Sequence, residues 1–201
     1  MKTVAVLLVA LLALAMVGCS EDSTLPVSPT DQSAMAPRSL EKRAARMFTS
    51  TASPNLQDPI IDPGSSRILP DGKMIVRGMI LRSRFDAVFA DEGPGAQADL
   101  VTGNGVLEMN FTADPLAGEM FAWGTLTITP DAPEAEGGKW EISWHGKGAL
   151  TAQGWVTPLK EVGHGTGGAL TGMQFFGELV STVRGFPADW EGVGEGCIVI
   201  H

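Results

Sequence analysis

Basic residues are scarce in this chain, and several residue types on which binding sites often depend are rare or missing. The 201 residues include 14 Lys and Arg against 23 Asp and Glu, which gives a formal net charge of −9. An acidic surface of this kind repels phosphate backbones and argues against nucleic-acid binding. Tyrosine does not occur, and there are only two cysteines and three histidines.

Motifs that would indicate a catalytic centre are also missing. The three histidines, His145, His164 and His201, show no tight ligand spacing such as His-x-Glu-x-x-His, so no metal site is predicted. No Gly-x-Ser-x-Gly motif and no cysteine–histidine pairing indicates a nucleophile. The glycine-rich segment 163–168 lacks the Lys-Ser/Thr ending of a phosphate loop. We therefore assign no catalytic residue, no metal and no cofactor from the sequence.

The amino-terminal segment has the features of a cleaved signal peptide. Lys2 is followed by an uncharged apolar run from Val4 to Val17, which is shorter than the roughly 20 residues that a membrane-spanning helix needs. This length matches the hydrophobic core of a signal peptide, which is removed from the mature protein. Loss of residues 1–18 removes Lys2 and no acidic residue, so the net charge moves from −9 to −10.

The end of this run resembles the lipobox of bacterial lipoproteins. The residues are Met16-Val17-Gly18-Cys19, with a small residue before the cysteine. The resemblance implies that the chain is cut before Cys19, that the cysteine sulfur carries a diacylglyceryl group, and that the new amino terminus is acylated, for example with palmitate. Ser20 after the cysteine, in place of aspartate, implies the outer membrane of a Gram-negative cell envelope. Two or more acyl chains give stable attachment, whereas one is marginal.

Lipidation of Cys19 has a consequence for the second cysteine. Its sulfur would be a thioether, so we expect no disulfide within the chain. Cys197 begins the apolar run Cys197–Ile200, which predicts a buried side chain.

Residues 19–72 are predicted to be a largely disordered tether. They are rich in Ser, Thr, Asp and Ala and contain prolines at 26, 29, 37, 54, 59, 63 and 70. Repeated proline and a low apolar density prevent a packed core. One segment, Ser39 to Phe48, has the composition of a short helix with Ser39 as its N-cap. A solvated, partly helical linker is the alternative, because isolated helices of this length are marginal in water.

Residues 73–201 are predicted to form an all-β domain. Apolar and polar residues alternate in several runs, most clearly in 138–147, where Trp140, Ile142 and Trp144 alternate with Glu141, Ser143 and His145. A period of two is typical of half-buried strands. The number and spacing of the runs favour an antiparallel, eight-stranded, up-and-down β-barrel, with a β-sandwich as the alternative. Glycines inside the predicted strands favour the more strongly coiled barrel.

The glycine-rich segments also resemble those of a known group of β-barrels. Gly138–Gly146, the segment Gly163–Gly177 and the terminal Gly196-Cys197-Ile198 are similar to the barrels of allene oxide cyclase and dirigent proteins, and of uncharacterised bacterial secreted proteins. The resemblance implies an eight-stranded antiparallel barrel with a cavity for a small apolar molecule. It implies no reaction, because the catalytic residues of the cyclase cannot be matched to positions here and the chain lacks tyrosine.

Three functions follow as alternatives. The first is a lipid-anchored envelope protein that binds a small apolar ligand, with Trp140, Trp144, His145 and His164 as the candidate binding residues. The second is a structural or interaction module of the envelope with a fully packed barrel. The third is a cyclase-like or isomerase-like enzyme, which requires Glu141 and His145 to point into the barrel. Whether the interior is filled or hollow, and what lines it, distinguishes them.

Overall fold

The computed structural model describes residues 44–55, 59–90, 100–185 and 187–200. Within these ranges the chain forms ten strands and two short 3-10 turns, and no α-helix. The turns are Pro133–Ala135 and Gly168–Leu170. The strands are β1 Ala44–Pro54, β2 Ile60–Asp62, β3 Ser65–Ile68, β4 Met74–Phe89, β5 Gly103–Asp114, β6 Glu119–Pro130, β7 Lys139–Thr151, β8 Gly154–Thr166, β9 Gln174–Gly185 and β10 Asp189–Ile200.

Eight of these strands close into an antiparallel barrel. Strands β4 to β10 pair in chain order, and β1 lies between β10 and β4 and pairs with both. Full closure leaves no unpaired edge along the main sheet, which removes the exposed backbone groups that an open sheet would present. The predicted eight-stranded barrel is confirmed, and the sandwich alternative is wrong.

The amino-terminal boundary of the barrel differs from the prediction. The tether was expected to reach residue 72, yet β1 pairs along both edges, and β2 and β3 pair with the first half of β4. The segment that ends at Phe48 was expected to be a partly helical linker or a short helix, but it is a strand from Ala44 onward. Hydrogen bonds on both sides override the weak local helix preference of this segment. The signal peptide, Cys19 and the remainder of the predicted tether lie outside the described residues.

One end of the barrel is filled by aromatic side chains. Phe48, Phe85, Trp140 and Phe175 are at most 2 % exposed. The ring of Phe175 lies 5.4 Å from that of Phe48, 6.3 Å from that of Phe85 and 5.7 Å from that of Trp140, measured between centroids. These are the distances of favourable aromatic pairs. The Trp140 Nε1–H donates a hydrogen bond to the carbonyl oxygen of Leu100, 2.7 Å away. This end is therefore closed and tightly packed.

Glycines inside the strands allow close contacts between neighbouring strands and interior side chains. At Gly124 of β6, a Cβ would overlap the backbone of Glu108 on β5 and lie 2.8 Å from Cζ2 of Trp144 on β7. A side chain at this position would force the neighbouring strands apart. The glycine therefore allows the sheet to bend around the indole ring, as expected for glycines inside barrel strands.

Two further predictions can be compared with the described residues. Cys197 is buried, as expected, with 1 % of its surface exposed. It is disulfide-bonded in the structure, whereas the chain lipidated at Cys19 is expected to contain no disulfide. None of the helical segments in the described ranges has the length and apolar character needed to cross a membrane.

Candidate ligand-binding cavity

The half of the barrel opposite the aromatic cluster contains a cavity of about 290 Å³. It lies toward the turns that join β5 to β6, β7 to β8 and β9 to β10, whose neighbouring residues Trp155 and Val183 line it. The cavity extends inward as far as Trp144 and Glu161, which lie opposite each other on β7 and β8. Below them, Ile142 and Phe175 belong to the packed half. The interior is thus filled at one end and hollow at the other.

The wall of the cavity is mostly apolar. Inward-facing residues of β4, β5 and β6 form one side, and those of β8 and β9 form the other. The apolar lining comprises Ala52, Met74, Phe85, Leu107, Met109, Phe111, Met120, Ala122, Leu126, Trp144, Trp155, Leu159, Leu179, Val183 and Trp190. A concave, largely apolar lining with few polar groups is typical of sites for small organic molecules, whose volumes start near about 300 Å³.

A single acidic side chain, Glu161, interrupts this apolar surface. Only 5 % of its surface is exposed, and none of the hydrogen bonds or ion pairs found among the described residues involves it. Burial raises the pKa of this carboxyl to about 7, because the charged form loses its hydration. The only other ionisable residue of the lining is Arg184, which forms ion pairs with Asp189 and Glu191 outside the cavity.

Three buried polar atoms of the lining have no hydrogen-bond partner within the described chain. They are Nε1 of Trp144, Nε1 of Trp190 and Oγ1 of Thr157. Buried polar groups are almost always satisfied in native proteins, and leaving one unsatisfied costs about 1–3 kcal/mol. All three belong to residues that line the same cavity.

The predicted binding residues divide between the inside and the outside of the barrel. Trp144 lines the cavity. Trp140 is fully buried in the packed half and does not line it. His145 and His164 are exposed on the outer face, so their assignment to an interior site is wrong. The reason is the period of two, which turns every second residue of β7 and β8 outward.

The polar cluster required by the enzyme alternative is not formed by the predicted residues. Glu141 and His145 face outward, and Glu141 contacts Lys139 at 2.7 Å and His164 at 3.6 Å on the surface. The Lys139 ammonium lowers the pKa of the Glu141 carboxyl. No group of three or more histidine, cysteine or acidic side chains that could hold a metal ion occurs among the described residues.

The sequence provided little indication that Glu161 is an interior residue. In β8 the inward positions Trp155, Thr157, Leu159 and Glu161 alternate with Val156, Pro158, Lys160 and Val162. Both sets mix apolar and polar residues, so the hydrophobic pattern does not identify the buried face. The glycines at 163 and 165 lie two and four residues after Glu161 and therefore face the same side of the strand. They are the one signal that could have identified the inner face.

Comparison of the chain with protein-family models, with curated proteins and with solved structures gives no match. The resemblances to bacterial lipoproteins and to the cyclase and dirigent barrels therefore stay predictions from the residues alone.

Proposed function

We propose that this chain is a lipid-anchored protein of the cell envelope whose barrel binds a small apolar molecule. The observation that carries the binding proposal is the cavity of about 290 Å³ with its apolar wall. A barrel that served only as a structural module would gain stability from a filled interior, because side chains that face a cavity lose packing contacts. Half of this interior is packed and half is not, which favours the binding function.

The binding proposal can be tested by filling the cavity. Ala122 lines the cavity and is 5 % exposed, so Ala122→Leu adds apolar volume inside it. Ala149→Leu adds the same atoms at an exposed position of β7 and is the matched control. The probe is the uncharged fluorophore N-phenyl-1-naphthylamine, whose emission rises in apolar surroundings.

We expect the wild type and Ala149→Leu to bind the fluorophore with the same dissociation constant, and Ala122→Leu to bind it about tenfold more weakly or not at all. Circular dichroism and thermal unfolding establish that all three proteins are folded. A folded wild type that does not bind the fluorophore, or an Ala122→Leu variant that binds it as well as the wild type, would contradict the proposal.

The anchoring part of the proposal depends on Cys19 and is tested separately. The lipobox-like residues Met16–Cys19 and the preceding apolar run support it, as does Ser20, which suggests the outer membrane, with the barrel on its periplasmic or external face. Cys19→Ala should move the protein from the membrane fraction to the soluble fraction while the barrel stays folded. Retention of this variant in the membrane fraction would exclude an anchor at Cys19.

The state of the second cysteine gives an independent measurement. Cys197 is disulfide-bonded in the structure, and the chain has only two cysteines. A thioether at Cys19 in the lipidated protein would therefore replace any disulfide within the chain. Thiol titration of the denatured, unreduced protein from the membrane fraction should give one thiol per chain if Cys19 is lipidated. The absence of a titratable thiol would indicate a disulfide instead and would overturn lipidation.

A further inference from the structure

We infer that the ligand of this cavity is an amphipathic amine whose ammonium group pairs with the carboxylate of Glu161. Its apolar body extends toward the mouth of the cavity, the end near the turns that join β5 to β6, β7 to β8 and β9 to β10. This inference rests on the proposed binding function and adds the chemical class of the ligand. Its basis is the position and the surroundings of one buried acidic group.

Glu161 lies at the inner end of the cavity. Along β8 the lining residues run from Trp155 at the mouth through Thr157 and Leu159 to Glu161. The next inward-facing residue of this strand, Gly163, does not line the cavity. A Cβ at Gly163 would lie 2.8 Å from Cγ1 of Ile142, which shows how tightly the interior is packed beyond that point. A molecule that fills the cavity therefore places one end against the carboxyl group.

Among the described residues, no side chain balances the charge of Glu161. No hydrogen bond or ion pair of the described residues reaches Glu161, and the other ionisable group of the lining, Arg184, is paired with Asp189 and Glu191. A buried carboxylate without a partner is costly, and a cation brought by the ligand offsets that cost. A ligand carboxylate would instead place two like charges together.

Other features of the cavity and surface favour a cation. The indole ring of Trp144, which lies opposite Glu161 on the neighbouring strand, lines the cavity, and tryptophan rings attract ammonium groups. The hydroxyl groups of Ser83, Thr157 and Ser181 also line it and can accept hydrogen bonds. The chain is acidic overall, with a formal net charge of −9, so its field attracts cations and repels anions.

The ligand class can be tested with three molecules of equal chain length. Octylamine, 1-octanol and octanoate are added separately at pH 8 to displace bound N-phenyl-1-naphthylamine from the wild type. The variants are Glu161→Gln, which keeps the shape of the side chain and removes its charge, and Glu178→Gln as the control. Glu178 lies on the outer face of β9 and is exposed, so this control removes the same charge from the surface.

In the wild type and in Glu178→Gln, we expect octylamine to bind at least about tenfold more tightly than octanol, and octanoate more weakly than both. A charge-assisted hydrogen bond contributes about 1.5–3 kcal/mol, which corresponds to a factor of about 10–100. In Glu161→Gln the affinity for octylamine should fall to that for octanol, while the affinity for octanol stays unchanged. Unchanged octanol binding also shows that this variant is folded.

The pH dependence in the wild type provides a measurement without any variant. Lowering the pH from 8 to 5.5 protonates Glu161, whereas octylamine and Arg184 keep their charges, so the preference for the amine should decrease at least about fivefold. An amine that binds no better than the alcohol at pH 8, or a preference that persists in Glu161→Gln, would overturn the inference. Failure of the fluorophore itself to bind would instead contradict the proposed function.

Discussion

Gly177 of β9 lies directly opposite Glu161 of β8, and a Cβ at this glycine would come within 2.7 Å of Glu161 Oε2. The same Cβ would lie 3.1 Å from Cε1 of Phe175, at the border of the packed half. The missing side chain therefore creates the space that the carboxyl group occupies. Position 177 determines whether an acidic side chain of this length fits inside the barrel.

We predict that Gly177→Ala displaces the Glu161 carboxyl group and destabilises the barrel by about 1–3 kcal/mol, because the added carbon overfills a closely packed position. The matched control is Gly185→Ala at the end of the same strand, where the nearest atom to a Cβ is that of Asp189 at 3.5 Å. Urea unfolding measures both variants. Equal free energies of unfolding for the two variants would show that a Cβ at position 177 does not overfill the interior.

The second prediction concerns stability against pH. Burial raises the pKa of Glu161 from 4.5 to about 7, so between these values the folded protein binds more protons than the unfolded chain. The free energy of unfolding should therefore fall by up to about 3 kcal/mol as the pH rises from about 4.5 to about 7. Above about pH 7 the ionisation of Glu161 should cause no further change.

The Glu161→Gln variant has no ionisable group at this position, so its stability is compared with that of the wild type. The difference in unfolding free energy between the variant and the wild type should grow across the same pH window, and the variant should be the more stable protein at pH 8. Urea unfolding at pH 5, 6, 7 and 8 measures it. A difference that does not change with pH would mean that the carboxyl group is not desolvated in the folded protein.

The third prediction concerns the start of the folded unit. A chain that begins at residue 44 retains β1 and should unfold cooperatively, with the same far-ultraviolet circular dichroism as the full chain. A chain that begins at residue 73, the boundary predicted from the sequence, lacks the strand between β10 and β4. Its exposed edges should cause aggregation. A soluble, cooperatively folded protein starting at residue 73 would show that β1 is dispensable.

The fourth prediction concerns the aromatic cluster at the closed end. Phe175 is fully buried and contacts the rings of Phe48, Phe85 and Trp140, so Phe175→Ala should cost about 3–5 kcal/mol of unfolding free energy. Phe121 on the outer face of β6 is 47 % exposed, and Phe121→Ala should cost much less. Thermal unfolding of the two variants measures which loses more stability. Similar losses of stability would contradict the placement of Phe175 in the core and of Phe121 on the surface.

Much of the fold could be predicted because the buried and exposed faces alternate cleanly in some strands. In 138–147 the tryptophans and Ile142 share one parity, and the structure places all three in the interior. That pattern was sufficient to orient the strand and to place Trp144 inside. The same pattern places His145 outward, where it is exposed and does not line the cavity.

The first strand could not be predicted in the same way. Residues 44–54 have a composition compatible with a helix or a linker, and their pairing partners lie at 83–89 and 192–200, far away along the chain. Their strand conformation results from hydrogen bonds to two edges that exist only when the barrel has nearly closed. A local pattern carries no information about such partners.

The sequence by itself determined an acidic, antiparallel β-barrel, because the two-residue period and the interior glycines are local properties that each strand carries. The tertiary structure alone decided that Ala44–Pro54 is a strand of the barrel, that one half is packed and the other hollow, and that Glu161 faces the cavity. The physical reason is that these features depend on the closure of the sheet, which brings distant strands together and fixes which side chains share the enclosed space.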